Sequence, residues 1–242
     1  MVDAARPASG VRWLDSPGED RLNQPLKATV VTAGVVVLIA LVVLIVVLAT
    51  QRQAPPAGDA APAPELIRSD SHVLDQGGDG AVTVVEFLDF ECEVCGAFYP
   101  VVEDLRERFR GDITYVLRYF PIPSHFNSMN AAIAAEAAAR QGRLEDMYRR
   151  LFESQAEWGE QGESRADVFR GFAVELGLDM ARYDADVADP ATRARVEQDF
   201  EDGRALGVDG TPTFFVDGAR LELRRFTDVA DAVERALAGA AR

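Results

Sequence analysis

The sequence is poor in cysteine and histidine. Among 242 residues it has two cysteines, Cys92 and Cys95, and two histidines, His72 and His125. A secreted domain stapled by disulfides usually carries about four or more cysteines, so a hydrophobic core must hold this fold and the pair is free for chemistry. A zinc site needs about four ligands, and neither histidine stands at a recognisable spacing from the cysteines. A zinc site and an inert disulfide are the weaker alternatives for the pair.

Lysine is nearly absent as well. Lys27 is the single lysine of the chain, and the formal net charge is −15. Binding of nucleic acid phosphates needs a basic face, and the sequence shows none, which excludes nucleic acid as a partner. The acidity is interpreted as keeping the protein soluble.

The residues before the main domain divide into three segments by composition. Residues 1–27 mix acidic and basic side chains with prolines and glycines, which is typical of a short disordered tail. Residues 28–50 contain no charge and are mostly Val, Leu, Ile and Ala. Because about 20 apolar residues cross a bilayer, this run predicts one transmembrane helix. Residues 51–65 are rich in proline and alanine and predict an extended, semi-rigid linker.

A cleavable signal peptide is the competing interpretation of the apolar run. The apolar region of such a peptide is about 7–15 residues long, which is shorter than the run at 28–50. Arg21 and Lys27 precede the run and weakly favour a cytoplasmic amino end. The tail would then be cytoplasmic, and the large domain would lie on the other side of the membrane.

Residues 66–242 predict one α/β domain. Val82–Phe90 is an apolar run of strand length, and it leads into Cys92-Glu-Val-Cys95 and an amphipathic helix. A Cys-x-x-Cys pair at such a strand-to-helix turn is typical of a redox site. The pattern then predicts, in order, a strand at Ile113–Ile122, helices at Ala131–Arg140 and Leu144–Ser154, a helix after a capping box at Ser164–Asp167, helices at Met180–Val187 and 190–206, a strand at Thr213–Val216, a hairpin turn at Asp217-Gly218, a returning strand with Leu221 and Leu223, and a last helix after Thr227.

Two segments resemble the signatures of a known family. Phe87-Leu-Asp-Phe-Glu-Cys-Glu-Val-Cys95 and Gly210-Thr-Pro-Thr-Phe-Phe-Val216 are similar to those of DsbA-like thiol:disulfide oxidoreductases. The resemblance covers about residues 72–240. It implies a thioredoxin fold with a helical insertion domain, at about 124–188, preceded here by one transmembrane helix. It also implies an extracytoplasmic protein that exchanges disulfides, with a cis peptide bond before Pro212 beside the cysteines.

The two cysteines receive different roles. Cys92 is expected at the amino end of the helix, where unpaired backbone N–H groups and the helix dipole stabilise a thiolate. It would be the exposed sulfur that attacks. Cys95 is expected one turn inside and shielded, where it attacks the mixed disulfide and releases the partner.

Glu86 and the loop before the last strands complete the predicted site. Glu86 lies in an otherwise apolar strand, and a buried carboxyl there would have a raised pKa and could carry protons to and from Cys95. The alternative is a solvated glutamate at a strand edge. Gly210, Thr211 and Pro212 would present backbone groups to an extended substrate segment, unless Pro212 is an ordinary trans proline.

The two residues between the cysteines differ from those of the best-known oxidases of the family. Glu93 and Val94 stand where the best-known oxidases of the family have Pro-His, and both are expected to contact substrate. An ionised Glu93 opposes a thiolate, as does Glu91, so a less strongly oxidising site is predicted.

His125 borders the site or is a plain loop residue, while Trp158, Phe152 and Phe169 are expected in the core of the insertion.

The leading hypothesis is an enzyme of the cell membrane that oxidises cysteines of exported proteins through Cys92 and Cys95. The resemblance implies reoxidation by a DsbB-like or VKOR-like membrane partner. No bound cofactor or metal is expected, because the sulfurs carry both electrons, and a monomer is expected. The alternatives are a membrane-tethered reductase or isomerase, and a non-catalytic module that binds client proteins.

Overall fold

The computed structural model describes Leu38, Leu41, Val42 and residues 65–240. No helix among those residues is long and apolar enough to cross a membrane. The predicted tail at 1–27 and linker at 51–65 lie outside the described part, except for Glu65, and so does nearly all of the predicted anchor at 28–50.

Residues 65–240 form an α/β domain. Its strands are β1 (His72–Asp75), β2 (Val82–Leu88), β3 (Ile113–Tyr119), β4 (Thr213–Val216) and β5 (Ala219–Arg220). Its helices are α1 (Glu93–Arg108), α2 (Ser128–Ala139), α3 (Leu144–Glu153), α4 (Gln155–Trp158), α5 (Ala166–Glu175), α6 (Met180–Ala188), α7 (Pro190–Ala205) and α8 (Asp228–Ala240).

The strands form one mixed sheet in the order β1-β3-β2-β4-β5. β2 pairs with β3 in parallel and with β4 antiparallel, so β2 is the central strand. Parallel neighbours need a crossover connection, and α1 supplies it between β2 and β3. The site is therefore built at the carboxyl end of the most enclosed strand.

The side chains of β2 alternate between the two faces of the sheet, as the period of two in a strand requires. Val82 and Val84 pack with α1 and α8, in a cluster that includes Phe98, Leu105 and Val233. Val85 and Phe87 face the other way and pack against residues of α7. Both faces are covered, which explains why the sequence of this strand is almost continuously apolar.

Five helices, α2 to α6, stand between β3 and α7 and form the insertion. Trp158, Phe152 and Phe169 belong to its core, as predicted, and the same cluster includes both cysteines. The alanines of α2 lie at the centre of this cluster because their small side chains let neighbouring helices approach. The insertion and the cysteines thus share one hydrophobic core.

The segment before β1 is fixed to the sheet by a buried arginine. Arg118 of β3 donates to the carbonyl oxygens of Glu65 and Leu66 at 2.9 and 2.7 Å. It also bonds the carboxylates of Asp199 and Asp202 on α7, both at 2.7 Å. A buried charge needs such partners, and here they hold the start of the domain against the sheet.

Several predicted elements differ from the structure at their ends. The capping box at Ser164–Asp167 is wrong, because α5 begins at Ala166 with Arg165 as its N-cap and no side-chain cap. The side-chain oxygen of Asn127 accepts the N–H of Arg165 at 2.8 Å, so a tertiary contact sets this helix start.

The returning strand is shorter than predicted. β5 ends at Arg220, so Leu221 and Leu223 lie beyond it. The carboxylate of Asp228 accepts the N–H groups of Arg224 and Arg225 at 2.7 and 2.8 Å, which draws the chain toward α8. The sequence pattern also missed β1, which pairs antiparallel with β3.

Candidate active site

The two cysteines lie where β2 passes into α1. Cys92 is the N-cap of α1, with an extended backbone and no side-chain cap, and Cys95 lies in its first turn. Both are free thiols in this structure. Cys92 is 5% exposed and Cys95 is 1% exposed. Cys95 is shielded as predicted, but the expectation of a well-exposed Cys92 is wrong, because this residue packs into the core cluster of the insertion.

The surroundings of Cys92 favour its ionised form. A hydrogen bond from the Cys95 side chain lowers the pKa of Cys92 to about 5, with help from Thr211 and from the backbone of Cys95 and Val94, while burial acts in the opposite direction. Backbone N–H groups at a helix amino terminus stabilise a thiolate in this way. Of the two thiols, that of Cys92 is therefore the more readily ionised.

The surroundings of Cys95 favour its protonated form. Burial raises the pKa of Cys95 well above its usual range, and the sulfur of Cys92 and the carboxyl of Glu86 add to this. A negative charge on both sulfurs at once is unfavourable. The two shifts therefore favour a pair in which Cys92 is ionised and Cys95 is protonated.

Glu86 is enclosed beneath the helix that carries the cysteines. It is 2% exposed and lies on the central strand, so the alternative of a solvated edge residue is wrong. The hydroxyl of Tyr115 donates a hydrogen bond to its carboxylate. Burial raises the pKa of Glu86 to about 7, although the bond from Tyr115 acts in the opposite direction. A carboxyl with this pKa can both accept and release a proton at neutral pH.

The loop before β4 lies against Cys92. The Thr211-Pro212 peptide bond is cis, as expected, and the carbonyl oxygen of Thr211 is 3.4 Å from the sulfur of Cys92. Gly210 turns the chain into β4, and its carbonyl oxygen accepts the Thr213 hydroxyl at 2.7 Å.

An apolar groove opens beside this loop. It has a volume of about 330 Å³, and Val94 and Phe226 on its rim are 51% and 50% exposed. Glu93, the other residue between the cysteines, is also exposed. The lining residues are Val94, Phe98, Thr211, Pro212, Leu223, Arg224, Arg225 and Phe226. A peptide chain in this groove would pass close to the sulfur of Cys92, which contacts the carbonyl oxygen of Thr211.

The family follows from comparison with known proteins. A family model described as thioredoxin matches residues 77–235. The chain belongs to the thioredoxin family.

Solved structures of this family agree with the fold. A thioredoxin-like oxidoreductase from Silicibacter pomeroyi is 30% identical, with a TM-score of 0.60 over 74% of this chain and 99% of its own. BdbD from Bacillus subtilis is 22% identical, with a TM-score of 0.62 over 69% and 92% of the two chains. Wolbachia pipientis α-DsbA1 is 16% identical, with a TM-score of 0.64 over 72% and 94%. These neighbours show a thioredoxin fold with a DsbA-like architecture.

Curated relatives of similar sequence are longer proteins. The Na(+)/H(+) antiporter NhaA 1 of Mycobacterium sp. (strain KMS) is 38% identical over 147 residues, which are 59% of this chain and 23% of the antiporter. NhaA of Herminiimonas arsenicoxydans is 38% identical over 161 residues, 65% of this chain and 25% of that protein. The chain therefore spans about a quarter of the length of each of these relatives.

In this thioredoxin-family domain a second acid, Asp89, lies beside the cysteines. It is 1% exposed, and its carboxylate accepts the N–H of Glu91 at 2.8 Å and that of Ile122 at 3.0 Å. Its other contact is Nδ1 of His125 at 2.6 Å. Burial raises the pKa of Asp89 to about 6, against the effect of these bonds. For His125, burial lowers the pKa, but the bond to Asp89 and the negative charges of Asp89, Cys92 and Glu91 together raise it above its usual range.

Two further residues hold the segment before Cys92 against the insertion. The buried carboxylate of Glu91 accepts the N–H of Asn127 at 2.5 Å and that of Glu160 at 3.0 Å. The side chain of Gln155 donates to the carbonyl oxygens of Phe90 and Cys92. The sequence argument missed Asp89 and Gln155 as site residues, and it treated Glu91 only as a charge. The helical periodicity of α4 does not indicate that Gln155 bonds the backbone of Phe90 and Cys92.

The two histidines do not join the cysteines in a cluster. His72 bonds the carboxylate of Glu136 at 2.6 Å, and His125 bonds Asp89. Within residues 65–240, no group of three or more His, Cys, Asp or Glu side chains is arranged to hold a metal ion.

Proposed function

We propose that this protein exchanges disulfides with exported proteins through Cys92 and Cys95, and that it acts mainly as an oxidase. The observation that carries the proposal is the contrast between the two sulfurs. The pKa of Cys92 is lowered to about 5, while that of Cys95 is raised. One sulfur is thus an attacking and leaving group, and the other a protected partner.

The oxidation of a client would proceed in two exchanges. A client thiolate attacks the sulfur of Cys92 in the Cys92–Cys95 disulfide, which forms a mixed disulfide and releases Cys95 as a thiolate. Glu86, protonated below its pKa of about 7, gives its proton to Cys95. A second client thiolate then attacks the client sulfur of the mixed disulfide, and Cys92 leaves as a thiolate. Two electrons pass from the two client thiols to the cysteine pair.

The lowered pKa supports the oxidising direction. A stable Cys92 thiolate stabilises the reduced protein, which makes its disulfide a stronger oxidant. The thiol pKa is about 7 in thioredoxin and about 3.5 in DsbA, and the value of about 5 here lies between them. We therefore expect a reduction potential between the roughly −270 mV of thioredoxin and the roughly −120 mV of DsbA.

The groove beside Thr211 and Pro212 suits an extended segment of a client. Backbone groups of the loop before β4 could pair with such a segment as an added strand. Val94 and Phe226 would give apolar contacts on the rim, and Glu93 would meet the client at the helix start.

The proposed setting is the outer side of the cell membrane. Residues 28–50 would anchor the chain and residues 51–65 would tether the domain. A DsbB-like or VKOR-like membrane protein would reoxidise the pair. The domain would act as a monomer without a bound cofactor.

A trapping experiment tests the proposal. In the Cys95→Ala variant the Cys92 thiolate can still attack a client disulfide and form a mixed disulfide, but Cys95 is no longer there to release the client, so client adducts should accumulate in cells and disappear on reduction. The matched control, Cys92→Ser/Cys95→Ala, should trap nothing. An absence of adducts in Cys95→Ala would overturn the exchange function and favour a binding module. A wild-type pair found mostly reduced in cells would favour the reductase or isomerase.

A further inference from the structure

Gln155 reaches from the insertion to the backbone of the nucleophile. It begins α4 directly after α3 and is half-buried. Its side-chain Nε2 donates to the carbonyl oxygen of Phe90 at 2.7 Å and to that of Cys92 at 2.9 Å. One amide group therefore bonds the nucleophile's own carbonyl and a second carbonyl two residues earlier.

Gly96 provides the space for this contact. A Cβ atom at Gly96 would lie 2.1 Å from Oε1 of Gln155 and 2.9 Å from its Cδ. The N–H of Gly96 also bonds the carbonyl oxygen of Cys92 at 3.0 Å. A glycine inside a helix costs roughly 1 kcal/mol relative to alanine. The close approach of Gln155 gives a physical reason for a glycine directly after Cys95.

One of the two carbonyl groups that Gln155 bonds belongs to Cys92 itself. The backbone conformation of Cys92 determines how its sulfur faces the first N–H groups of α1. Cys92 has φ −68° and ψ 121° and is the N-cap of α1. In this conformation the backbone of Val94 and Cys95 bonds its sulfur. A change in ψ of Cys92 would move the sulfur away from these donors. The amide protons of Gln155 also offset the partial negative charge of two carbonyl oxygens close to the thiolate.

We propose that Gln155 is a positioning residue for Cys92, and that Gly96 is its required counterpart. Gln155 fixes the helix start from the insertion side, so that the backbone N–H groups of α1 stabilise the thiolate. The biological meaning of this role rests on the proposed disulfide exchange, but the role can be measured without any client.

The first test replaces Gln155 with leucine, which keeps the size of the side chain and removes the donor. The thiol pKa of Cys92, followed in the reduced protein by the ultraviolet absorbance of the thiolate, should rise by roughly half a unit to one unit. The equilibrium constant with glutathione should then shift toward the disulfide form by about three- to tenfold. A tenfold shift corresponds to about 30 mV.

The second test uses Gly96→Ala, which should displace the amide of Gln155 and raise the pKa of Cys92 in the same direction. In a Gln155→Ala background the clash is gone, so Gly96→Ala should add little to the pKa. This non-additivity separates the proposed contact from a general loss of stability. It also provides a readout if Gln155→Leu folds poorly.

Gln141 offers a matched control. Its side chain also bonds backbone groups within the insertion, donating to the carbonyl oxygen of Asp179 at 3.2 Å and accepting its N–H at 2.9 Å. Gln141→Leu should leave the pKa of Cys92 and the glutathione equilibrium unchanged. The proposal is overturned if Gln155→Leu and Gly96→Ala titrate like the wild type, or if Gln141→Leu shifts the pKa equally. A shift in Gln155→Leu together with no adducts in Cys95→Ala would refute the exchange function and leave this role intact.

Discussion

The two sides of the cysteine pair are built differently. On the inner side, below Cys95, the carboxyl of Glu86 faces a sheet and a helix and bonds the hydroxyl of Tyr115. On the outer side, toward the insertion, the carboxylates of Asp89 and Glu91 each accept two backbone N–H groups. All three carboxyls are buried, yet only the two outer ones accept backbone N–H groups.

This difference assigns different tasks to residues of the same type. A buried carboxyl without backbone donors keeps a pKa near neutrality and is suited to move protons, which describes Glu86. A buried carboxylate that accepts backbone N–H groups fixes the chain that supplies them, which describes Glu91. The inner side would serve the chemistry of Cys95, and the outer side the geometry of Cys92.

The largest expected effect is on the inner side. Glu86→Gln keeps the shape of the side chain and removes its titration, so the step that involves the proton of Cys95 should slow by about a hundredfold. In the wild type the rate at which Cys95 resolves a mixed disulfide should rise with pH through about 7, the pKa of Glu86, because the carboxylate is the form that accepts the proton. Stopped-flow measurement of mixed-disulfide resolution across pH would test both points.

The same variant should change the pH dependence of stability. The pKa of Glu86 is about 7 in the folded protein, against 4.5 for an ordinary glutamate, as in the unfolded chain. Between these two pH values the native state holds a proton that the unfolded state has lost. The free energy of unfolding should therefore fall as pH rises through this window, by roughly 3 kcal/mol. Urea titrations should show a loss that is smaller by about this amount in Glu86→Gln, in which Asp89, with its pKa raised to about 6, still titrates. Equal slopes for the two proteins would contradict the assignment.

An intermediate effect is expected on the outer side. Glu91→Ala leaves the N–H groups of Asn127 and Glu160 without their carboxylate and should lower the free energy of unfolding by about 2 kcal/mol. The exposed Glu157, in α4, provides a control, because its replacement by alanine should change stability by less than about 0.5 kcal/mol. If Glu91→Ala were as stable as Glu157→Ala, the carboxylate would have no anchoring role. The pH profile of resolution should remain that of the wild type.

The smallest effect is expected at the rim. Glu93 is exposed in the first turn of α1, and a side-chain hydrogen bond with Glu93, together with its charge, raises the pKa of the neighbouring Glu160. Glu93→Gln should lower the thiol pKa of Cys92 by a few tenths of a unit, because one like charge near the thiolate is removed. The difference should shrink as salt is added, since exposed charges are screened. A difference that persisted at high salt would point to a conformational cause.

The parts of the site that the sequence predicted are those close together along the chain. Cys92, Cys95 and Glu86 follow from residue types on one strand and one helix, where periodicity fixes the neighbours. The cis bond before Pro212 followed from the resemblance and is present. These inferences needed only local structure and a motif.

The parts of the site that the sequence did not predict depend on contacts between segments that are far apart along the chain. Gln155 lies 65 residues from Phe90 along the chain, and Glu160 lies 69 residues from Glu91. No local pattern encodes which loop of the insertion will meet the helix start. The low exposure of Cys92 was missed for the same reason, because the covering residues come from the insertion.

The narrow access to Cys92 has a consequence for the timing of its work. Cys92 is only 5% exposed, and the Thr211 carbonyl oxygen lies beside its sulfur. We therefore expect that an extended, flexible peptide segment can reach the sulfur and that the surface of a rigid folded domain cannot. A polypeptide would have to present its thiol while still unravelled. Under the proposed disulfide exchange, we therefore expect the substrates to be newly emerged, unfolded chains and not the buried cysteines of folded proteins.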